Sequence, residues 1–587
     1  MKILSVHSHS HDSTVTYIEG NDVKYILSSE RLSRIKNDDG FPALAFKKLL
    51  FDCKINPSDI DKLVVVGRPF HREFYDFVYS RSLPFRKTKG KCLIKHKKPH
   101  IIFYNTLLST GIPSFVFFSL IPKMKLLSKF HYMKKIEYVP HHFSHIASAY
   151  YCSGWNECIT GCIEGEGFPE TLSFFHVKDG KFELLTKTEM PHSVGRFYEL
   201  VTAILGFHLL RHPGKITGLA AYGNPVPFYE KVKRLLWVEG TQIYFDYRFA
   251  FMVREILQEK NLMATFYSHK NYKPARNDPW KELPYFCDYK REDIAASFQK
   301  RLEDCLCEVV QKLARKTGLR KIALAGGVVA NVRLNQQIHA ISEIDEIYIH
   351  PGMGDMGLSL GAGLHVAAKN GHKPKRLENL YLGPEYSEKE ILKELKSYDL
   401  KFTYEDNIER KGAGLLSEGK IVARFHGRME YGPRALGNRS ILFQTTDKTV
   451  NNWLNKKLKR TEFMPFAPVT LSEFSEKCYK NIKGAEFTAK FMTITFECTD
   501  YMKKVSPSVV HVDGTARPQF LSREDNPSFY RILENYYKIT GIPSLINTSF
   551  NMHEEPIVCS PDDAIRSFIE SGIDYLAIEK FLIKKNR

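Results

Sequence analysis

The sequence predicts an α/β protein of two domains. Three observations carry that prediction. At 587 residues the chain exceeds what one hydrophobic core ordinarily organises. Strands, glycine-rich loops and helices alternate from about residue 292 to residue 370. A second strand-and-helix series follows residue 388 and runs to the end of the chain. The expected division is 1–370 and 388–587, with no internal sequence repeat and no low-complexity segment.

The first 40 residues read as antiparallel strands. "KILSVHS", "STVTYIEG" and "DVKYILSSE" are β-rich runs, and "EGND" is a hairpin turn signal. "HHFSHIASAYY" begins a small-residue, helix-like run. "EDIAASFQKRLEDCLCEVVQKLARKTG" (292–318) has helical apolar spacing and a glycine stop. "KIALAGG" is the next strand, "VVANVRLNQQIHAI" a helix and "EIYIHP" a strand. "GMGDMGLSLGAGLHVAAKNG" enters a further helix through a glycine-rich loop. The polar, proline-bearing "KNGHKPKRLENLYLGPEYSEKEI" reads as an interdomain linker. Beyond it, "GKIVARFHG" is a strand and "SPDDAIRSFIESGIDYLAIEKFLI" a closing helix plus strand.

Composition excludes several classes. The longest apolar run, 112–122, has about half the roughly 20 residues of a membrane-spanning helix. The N-terminus turns polar too early for a secretory signal. The eleven cysteines include no Cys-x-x-Cys pair, which argues against a disulfide framework or zinc ribbon and for a reducing cytoplasm. The net charge is +19, and residues 81–135 alone hold 13 Lys/Arg and no acid. That patch is either a solvated insertion or a surface for an anionic partner.

The residues that carry chemistry fall into groups. In a helix, His141 and His145 at i and i+4 share one face and can bind one metal. They can equally belong to a packed core. The zinc-protease pattern fails, because His142 stands where its glutamate belongs. Glu164 and Asp355, each beside glycines after an apolar strand, would complete a two-histidine, two-carboxylate set suited to iron, zinc or manganese. His11 and Asp12 end the first strand, where a histidine can act as a base or simply line a turn. Arg34 and Lys36 lie beside a turn. Gly326 and Gly327 between strand and helix permit close backbone approach to a phosphate. "GRMEYGPRALGNRS" places Arg428, Arg434 and Arg439 among glycines with Glu430 the only acid, and guanidinium forks suit phosphate oxygens. Lys459, Arg460, Arg517, Asn547, Ser549 and Asn551 follow downstream, and the set implies a polyanion pocket.

Taken in order, "HDS", "SERLSRIK", "HHFSHIASA", "GLAAYG", "LAGGVVAN", "PGMGDMGLSLGAG", "GRMEYGPRALGNRSIL", "MPFAP", "HVDGTARPQ" and "IPSLINTSFNMHEEPIV" resemble the NodU/CmcH-type O-carbamoyltransferases nearly end to end. Segment 81–135 is the least matched. The resemblance implies an N-terminal actin/sugar-kinase-like domain, similar to the tRNA threonylcarbamoyl-transfer proteins, and a C-terminal YrdC-like α/β domain. It implies carbamoyl-adenylate formation from carbamoyl phosphate and ATP in the C-terminal domain, then transfer to a sugar or secondary-metabolite hydroxyl in the N-terminal one. It assigns Arg434, Arg517, Asn547 and Ser549 to the donor substrates, with Arg439 and Arg460 as helpers. His141, His145 and Asp355 match metal ligands, commonly iron, with Glu164 at the fourth position and magnesium a further candidate. Lys36, Gly326 and Gly327 match intermediate-binding positions. His11 matches the base, and His9 lies near the acceptor.

This sequence departs from the family pattern at three places. "EGEGF" replaces Asp-Gly-x-Gly-Glu, so Glu164 stands where Asp is usual, with a longer ligand arm, and Phe168 where an acid is usual. Pro213 precedes the lysine loop where Glu is usual, and Met464 stands where Arg is frequent. The basic segment extends the expectation to an anionic or lipid-linked acceptor and a cytoplasmic enzyme peripheral to the inner membrane surface. A homodimer is compatible with the sequence, and no stable nucleic acid partner is expected. The alternatives are a tRNA threonylcarbamoyl-type enzyme, which would depend on threonine, and a non-catalytic nucleotide-binding or nucleic-acid-binding protein.

Overall fold

The computed structural model describes residues 1–8, 11–67, 136–167, 169–263, 265–266, 272–273, 278–457 and 465–585. His9, Phe168, Lys459, Arg460, Met464 and the basic segment 81–135 lie outside the described residues. So do the expectations attached to them.

The first sheet contains β1 (Lys2–His7), β2 (Thr14–Glu19), β3 (Asp22–Ser28), β4 (Lys62–Val66) and β5 (Ile136–Val139), in the order β3-β2-β1-β4-β5. β1 pairs antiparallel with β2 and parallel with β4. β2–β3 is antiparallel and β4–β5 parallel. Ile3, Leu4, Ser5 and Val6 are all buried, as a central strand covered on both faces requires.

Helix α1 (His141–Ser153) follows β5. The chain then builds β6 (Glu157–Ile163), β7 (Glu170–Lys178) and β8 (Lys181–Glu189). After helix α2 (Arg291–Thr317) come β9 (Lys321–Ala325), helix α3 (Val332–His339), β10 (Glu346–Ile349) and helix α4 (Leu358–Lys369). The second sheet has the order β10-β9-β6-β7-β8. β6–β7 and β7–β8 are antiparallel, while β9 is parallel to both β6 and β10. This is the topology of the first sheet over again: three meandering antiparallel strands, two parallel additions, then a helix. The sequence shows no repeat, yet the architecture is duplicated. Strand order survives because it depends on pairing and burial, which many sequences satisfy.

The two equivalent helices exchange partners. α1 packs on β6 and β9 of the second sheet, and α4 packs on β1, β2 and β4 of the first. They also cross each other, and a side chain at Gly361 of α4 would overlap the carbonyl of Ser144 in α1. That close crossing brings the N-termini of α1 and α4 together. Gly318 ends α2 in the left-handed region, as the glycine stop predicted. The helix expected at 328–341 is split, because the Asn331 side chain accepts from Leu334 N and starts α3 after a short 3-10 turn.

The C-terminal part is an eight-stranded mixed sheet. Its strands are β11 (Thr403–Tyr404), β12 (Val422–Phe425), β13 (Arg439–Phe443), β14 (Pro468–Leu471), β15 (Gln519–Leu521), β16 (Ser544–Ser549), β17 (Tyr575–Ile578) and β18 (Phe581–Lys584). The order is β11-β18-β17-β12-β13-β16-β14-β15. The closing strand expected from the sequence is a hairpin of two, β17 and β18. Val422, Leu442 and Leu545 face helices α5 (Ile408–Ser417) and α6 (Pro527–Thr540). The alternate residues Ala423, Ile441 and Ile546 share the opposite face with helix α7 (Pro561–Glu570). The expected linker is no solvated tether. Leu377, Leu380 and Leu382 are buried, and Leu382 O accepts from Ile26 N of β3 while Gly383 N donates to Met429 O. No helix among the described residues is long and apolar enough to cross a membrane.

Candidate active site at the junction of the two parts

The N-terminal cluster is built where the duplicated strands end. His7 closes β1, and His11 lies in the following turn. Pro140 caps α1, so His141 is its first residue and His145 sits one turn on. Their ring centroids are 5.1 Å apart. Asp355 occupies the equivalent place at the entry to α4, in a 3-10 turn. Asp355 Oδ1 lies 3.6 Å from both His141 Nε2 and His145 Nε2. Asp355 Oδ2 lies 3.6 Å from His7 Nε2 and 3.9 Å from His11 Nε2. Four imidazoles thus surround one buried carboxylate.

Among the described residues, two sets of donor atoms converge within 4.8 Å: His141, His145 and Asp355, and His145, Cys162 and Glu164. The first set, two neutral-capable imidazoles and a carboxylate, fits a divalent metal of borderline softness. Glu164 faces the same nitrogen of His145 as Asp355 does, with Oε1 3.1 Å from Nε2. The same oxygen accepts the Gly327 N–H at 2.5 Å. Gly326 has φ 104°, and a Cβ there would overlap the Ile163 carbonyl, so only glycine lets β9 end this close to β6. His142, beside the ligand pair, faces Cys162 Sγ at 3.5 Å, and burial lowers its pKa to about 3. It is a packed, neutral histidine.

The charges explain the titration of the others. Burial pushes the Asp355 carboxyl up, but the charges of His11 and His141 and hydrogen bonds from His145 and His7 hold it well below the usual range. Burial lowers His145, but Glu164 and Asp355 raise it to about 9. His11 is raised to about 10, chiefly by the charge of Asp355 and against its burial, with help from Asp12, whose Oδ2 is 2.9 Å from Nδ1. Sequence reasoning missed His7 and Cys162. The signal for each was its place at or near a strand end beside a residue already chosen.

The C-terminal cluster gathers on loop 426–438. Glu430 Oε1 accepts from the backbone N–H groups of Leu436, Asn438 and Arg439, which ties the loop into a closed turn. Gly427, Gly432 and Gly437 supply its positive-φ positions. Arg434 lies half-buried in the same loop. Asn547 Nδ2 donates to Ala435 O at 3.2 Å and to Gln519 Oε1 at 2.8 Å, and Gln519 Nε2 donates to Leu436 O at 3.1 Å. These bonds bring Arg434, Arg517 and Asn547 to one region. Ser549 follows on the same strand, donating to Asn551 Oδ1 at 2.6 Å. Gln519 was not singled out in the sequence, since a glutamine in a short strand carries no signal.

Arg439 differs from its expected role. It is fully buried, its guanidinium lies 3.6 Å from the Phe425 ring centroid, and it donates to the carbonyls of His426, Asn438, Gly427 and Pro384. Those bonds make it a brace for the loop. Arg428 is likewise spent on the carbonyls of Gly383, Lys24 and Leu382.

The two clusters face a common seam. Arg34, with φ 58°, donates to Ile557 O at 2.8 Å and Pro556 O at 2.6 Å, and its Nε lies 3.1 Å from Asp563 Oδ1. These bonds make it a rivet between the parts. Tyr431 of the arginine loop donates to Met356 O at 3.2 Å, next to Asp355. Arg31 donates to Gly432 O at 2.8 Å. Lys36 and Glu554 meet across the same seam at 3.9 Å.

Comparison with known proteins gives a consistent result. The model of the carbamoyltransferase N-terminus matches residues 2–364, and that of the carbamoyltransferase C-terminus matches residues 413–585. An uncharacterised protein of Methanocaldococcus jannaschii is 32% identical over 100% of both chains. The nodulation protein NolNO of Sinorhizobium fredii is 28% identical over 98% of this chain and 79% of its own. Among solved structures, full-length HypF is 13% identical over 63% of this chain and 46% of its own, with a TM-score of 0.32.

Proposed function

The chain belongs to the carbamoyltransferase family, and from that premise we propose that it is an ATP-dependent O-carbamoyltransferase with two chemical stations. The observation that carries this reading is the pair of polar clusters, arginine–asparagine in the C-terminal part and histidine–aspartate in the N-terminal part, facing one seam. The duplicated strand order β3-β2-β1-β4-β5 supports an actin/sugar-kinase-like N-terminal part. A YrdC-like C-terminal part is proposed with it, as is the division at 370 and 388.

In the first step, water cleaves carbamoyl phosphate to carbamate and inorganic phosphate, a carbamate oxygen attacks the α-phosphorus of ATP, and pyrophosphate leaves. Carbamate is a poor electrophile, and adenylation supplies the leaving group it lacks. Arg434 and Arg517 offset the charge of two anions as they meet, while Asn547 and Ser549 add neutral donors. In the second step, a hydroxyl of a sugar or secondary metabolite attacks the carbamoyl carbon, and AMP leaves. His11 takes the hydroxyl proton. Lys36, with the backbone at Gly326 and Gly327, holds the adenylate.

A divalent metal, iron being the family's common one, would be held by His141, His145 and Asp355, and supplies Lewis-acid polarisation when bound. A base must be neutral, and Asp355 is the main charge keeping His11 protonated. A cation on Asp355 would offset that charge. Glu164, whose Oε1 faces the same His145 nitrogen as Asp355, would be the fourth ligand.

The test separates the stations. His11→Asn is expected to retain pyrophosphate release from ATP and carbamoyl phosphate and to lose carbamoyl transfer by about 100-fold or more. Arg517→Ala is expected to lose pyrophosphate release itself. The reverse pattern overturns the assignment. Mass spectrometry of glycans and metabolites after incubation with labelled carbamoyl phosphate identifies the acceptor.

A further inference from the structure

One side chain of the arginine loop reaches across the seam into the Asp355 turn. Tyr431 lies three residues before Arg434 and is buried. Its hydroxyl meets the turn 350–357, which follows β10 and carries Asp355. It lies 3.1 Å from His350 Nε2 and 3.2 Å from the carbonyl oxygen of Met356, the residue after Asp355. With the His350 proton on Nε2, the ring donates to the hydroxyl and the hydroxyl donates to the carbonyl. A phenylalanine would fill the same space with no buried polar atom to satisfy. The hydroxyl costs free energy to bury unless it is bonded, and its bonds go to the turn.

The loop and the turn also interlock. A Cβ at Gly352 would overlap Tyr431 Oη, and one at Gly432 would lie 3.2 Å from Pro351 O. Surfaces fitted this closely shift together rather than slide. Each side is itself tied into a unit. Glu430 Oε1 holds three N–H groups of the loop. Gly326 N donates to Met353 O at 2.7 Å, which fastens the turn to the end of β9. An anion drawn in by Arg434 therefore pulls on a loop that is bonded to the turn carrying Asp355.

We propose that Tyr431 is a positioning residue that couples the two stations: its hydroxyl passes the ordering of the arginine loop by a bound phosphate-bearing donor to the Asp355 turn. The inference rests on the two-station reading above and deepens it. Tyr431 acts through Met356 and His350, not on the reacting atoms. It readies the N-terminal station when the C-terminal one is filled. Coupling of this kind is reciprocal in binding free energy.

The experiment is amide hydrogen exchange of the full chain with and without phosphonoacetamide, a stable analogue of carbamoyl phosphate with no adenosine to bind elsewhere. In the wild type the analogue is expected to slow exchange at residues 426–439 and at 352–358, the latter about fivefold or more. Tyr431→Phe keeps the ring and removes the hydroxyl. It is expected to keep the protection at 426–439, which also reports that the variant is folded, and to lose that at 352–358. Protection of the loop without the turn in the wild type overturns the inference whether or not the variant folds. Protection of the turn that persists in Tyr431→Phe overturns it as well, and both outcomes leave the donor site standing. No protection at 426–439 in the wild type sinks the donor site, and the inference with it.

Discussion

Asp355 is the residue on which the N-terminal cluster depends. Its two oxygens face four imidazoles, and without it those rings have no shared partner. Asp355→Asn is expected to leave the purified protein with less than about a tenth of the wild-type metal content by elemental analysis. Retention of full stoichiometry would place the ligands elsewhere. Glu164→Ala is expected to be milder, lowering metal affinity about 10–100-fold, since it removes a carboxylate facing His145 Nε2 but leaves His141, His145 and Asp355 in place. His141, His145 and Asp355 were legible in the sequence because i,i+4 spacing and a glycine-flanked strand-end acid are local signals. Arg439 was not, because an arginine that braces a loop and one that binds phosphate look alike until burial is known.

At the scale of elements, the arginine loop and the β9 turn carry the local strain. Glu430→Ala would leave three buried N–H groups without an acceptor, at about 1–3 kcal/mol each where water cannot reach them. A loss of about 3 kcal/mol or more in urea unfolding is expected. Gly326→Ala is expected to destabilise by a similar amount, since φ 104° and the Ile163 carbonyl both oppose a Cβ. An unchanged melting temperature would show that the β6–β9 approach is looser than described. Strand and helix positions from 292 to 370 were readable from periodicity and glycine stops. The break at Asn331 and the packing of segment 373–383 were not, because a cap bond and a buried strap depend on what lies opposite.

At the scale of the molecule, the seam between the parts is held by charge and backbone contacts. Arg34→Ala removes bonds to Ile557 and Pro556 and the pairing with Asp563, and faster amide exchange at residues 553–560 is expected. The seam also has a pH signature. Burial raises the Glu554 carboxyl, but His212, Lys36 and His553 hold it at about 2, below the ordinary value near 4.3. A depressed carboxylate stabilises the fold fully above its unfolded value and loses that contribution as pH falls through the folded one. The stability difference between wild type and Glu554→Gln is therefore expected to shrink from pH 6 to pH 3 in urea unfolding. A difference constant over that range would remove Glu554 from the cluster's energetics.

The sequence by itself determined the kind of chain this is: the α/β class, the individual strands and helices, and the motifs whose spacing marks the carbamoyltransferase family. Those are properties of neighbours within about ten residues, where periodicity, caps and glycines act directly. Only the tertiary structure decided that the N-terminal sheets repeat one topology and that α1 and α4 exchange partners. Only it set Glu164 and Asp355 against one nitrogen of His145, and Glu554 near Lys36 and Arg211 from the other part of the chain. Those facts join residues hundreds of positions apart, and pairing between distant segments is settled by packing and by which polar groups must find partners when water leaves.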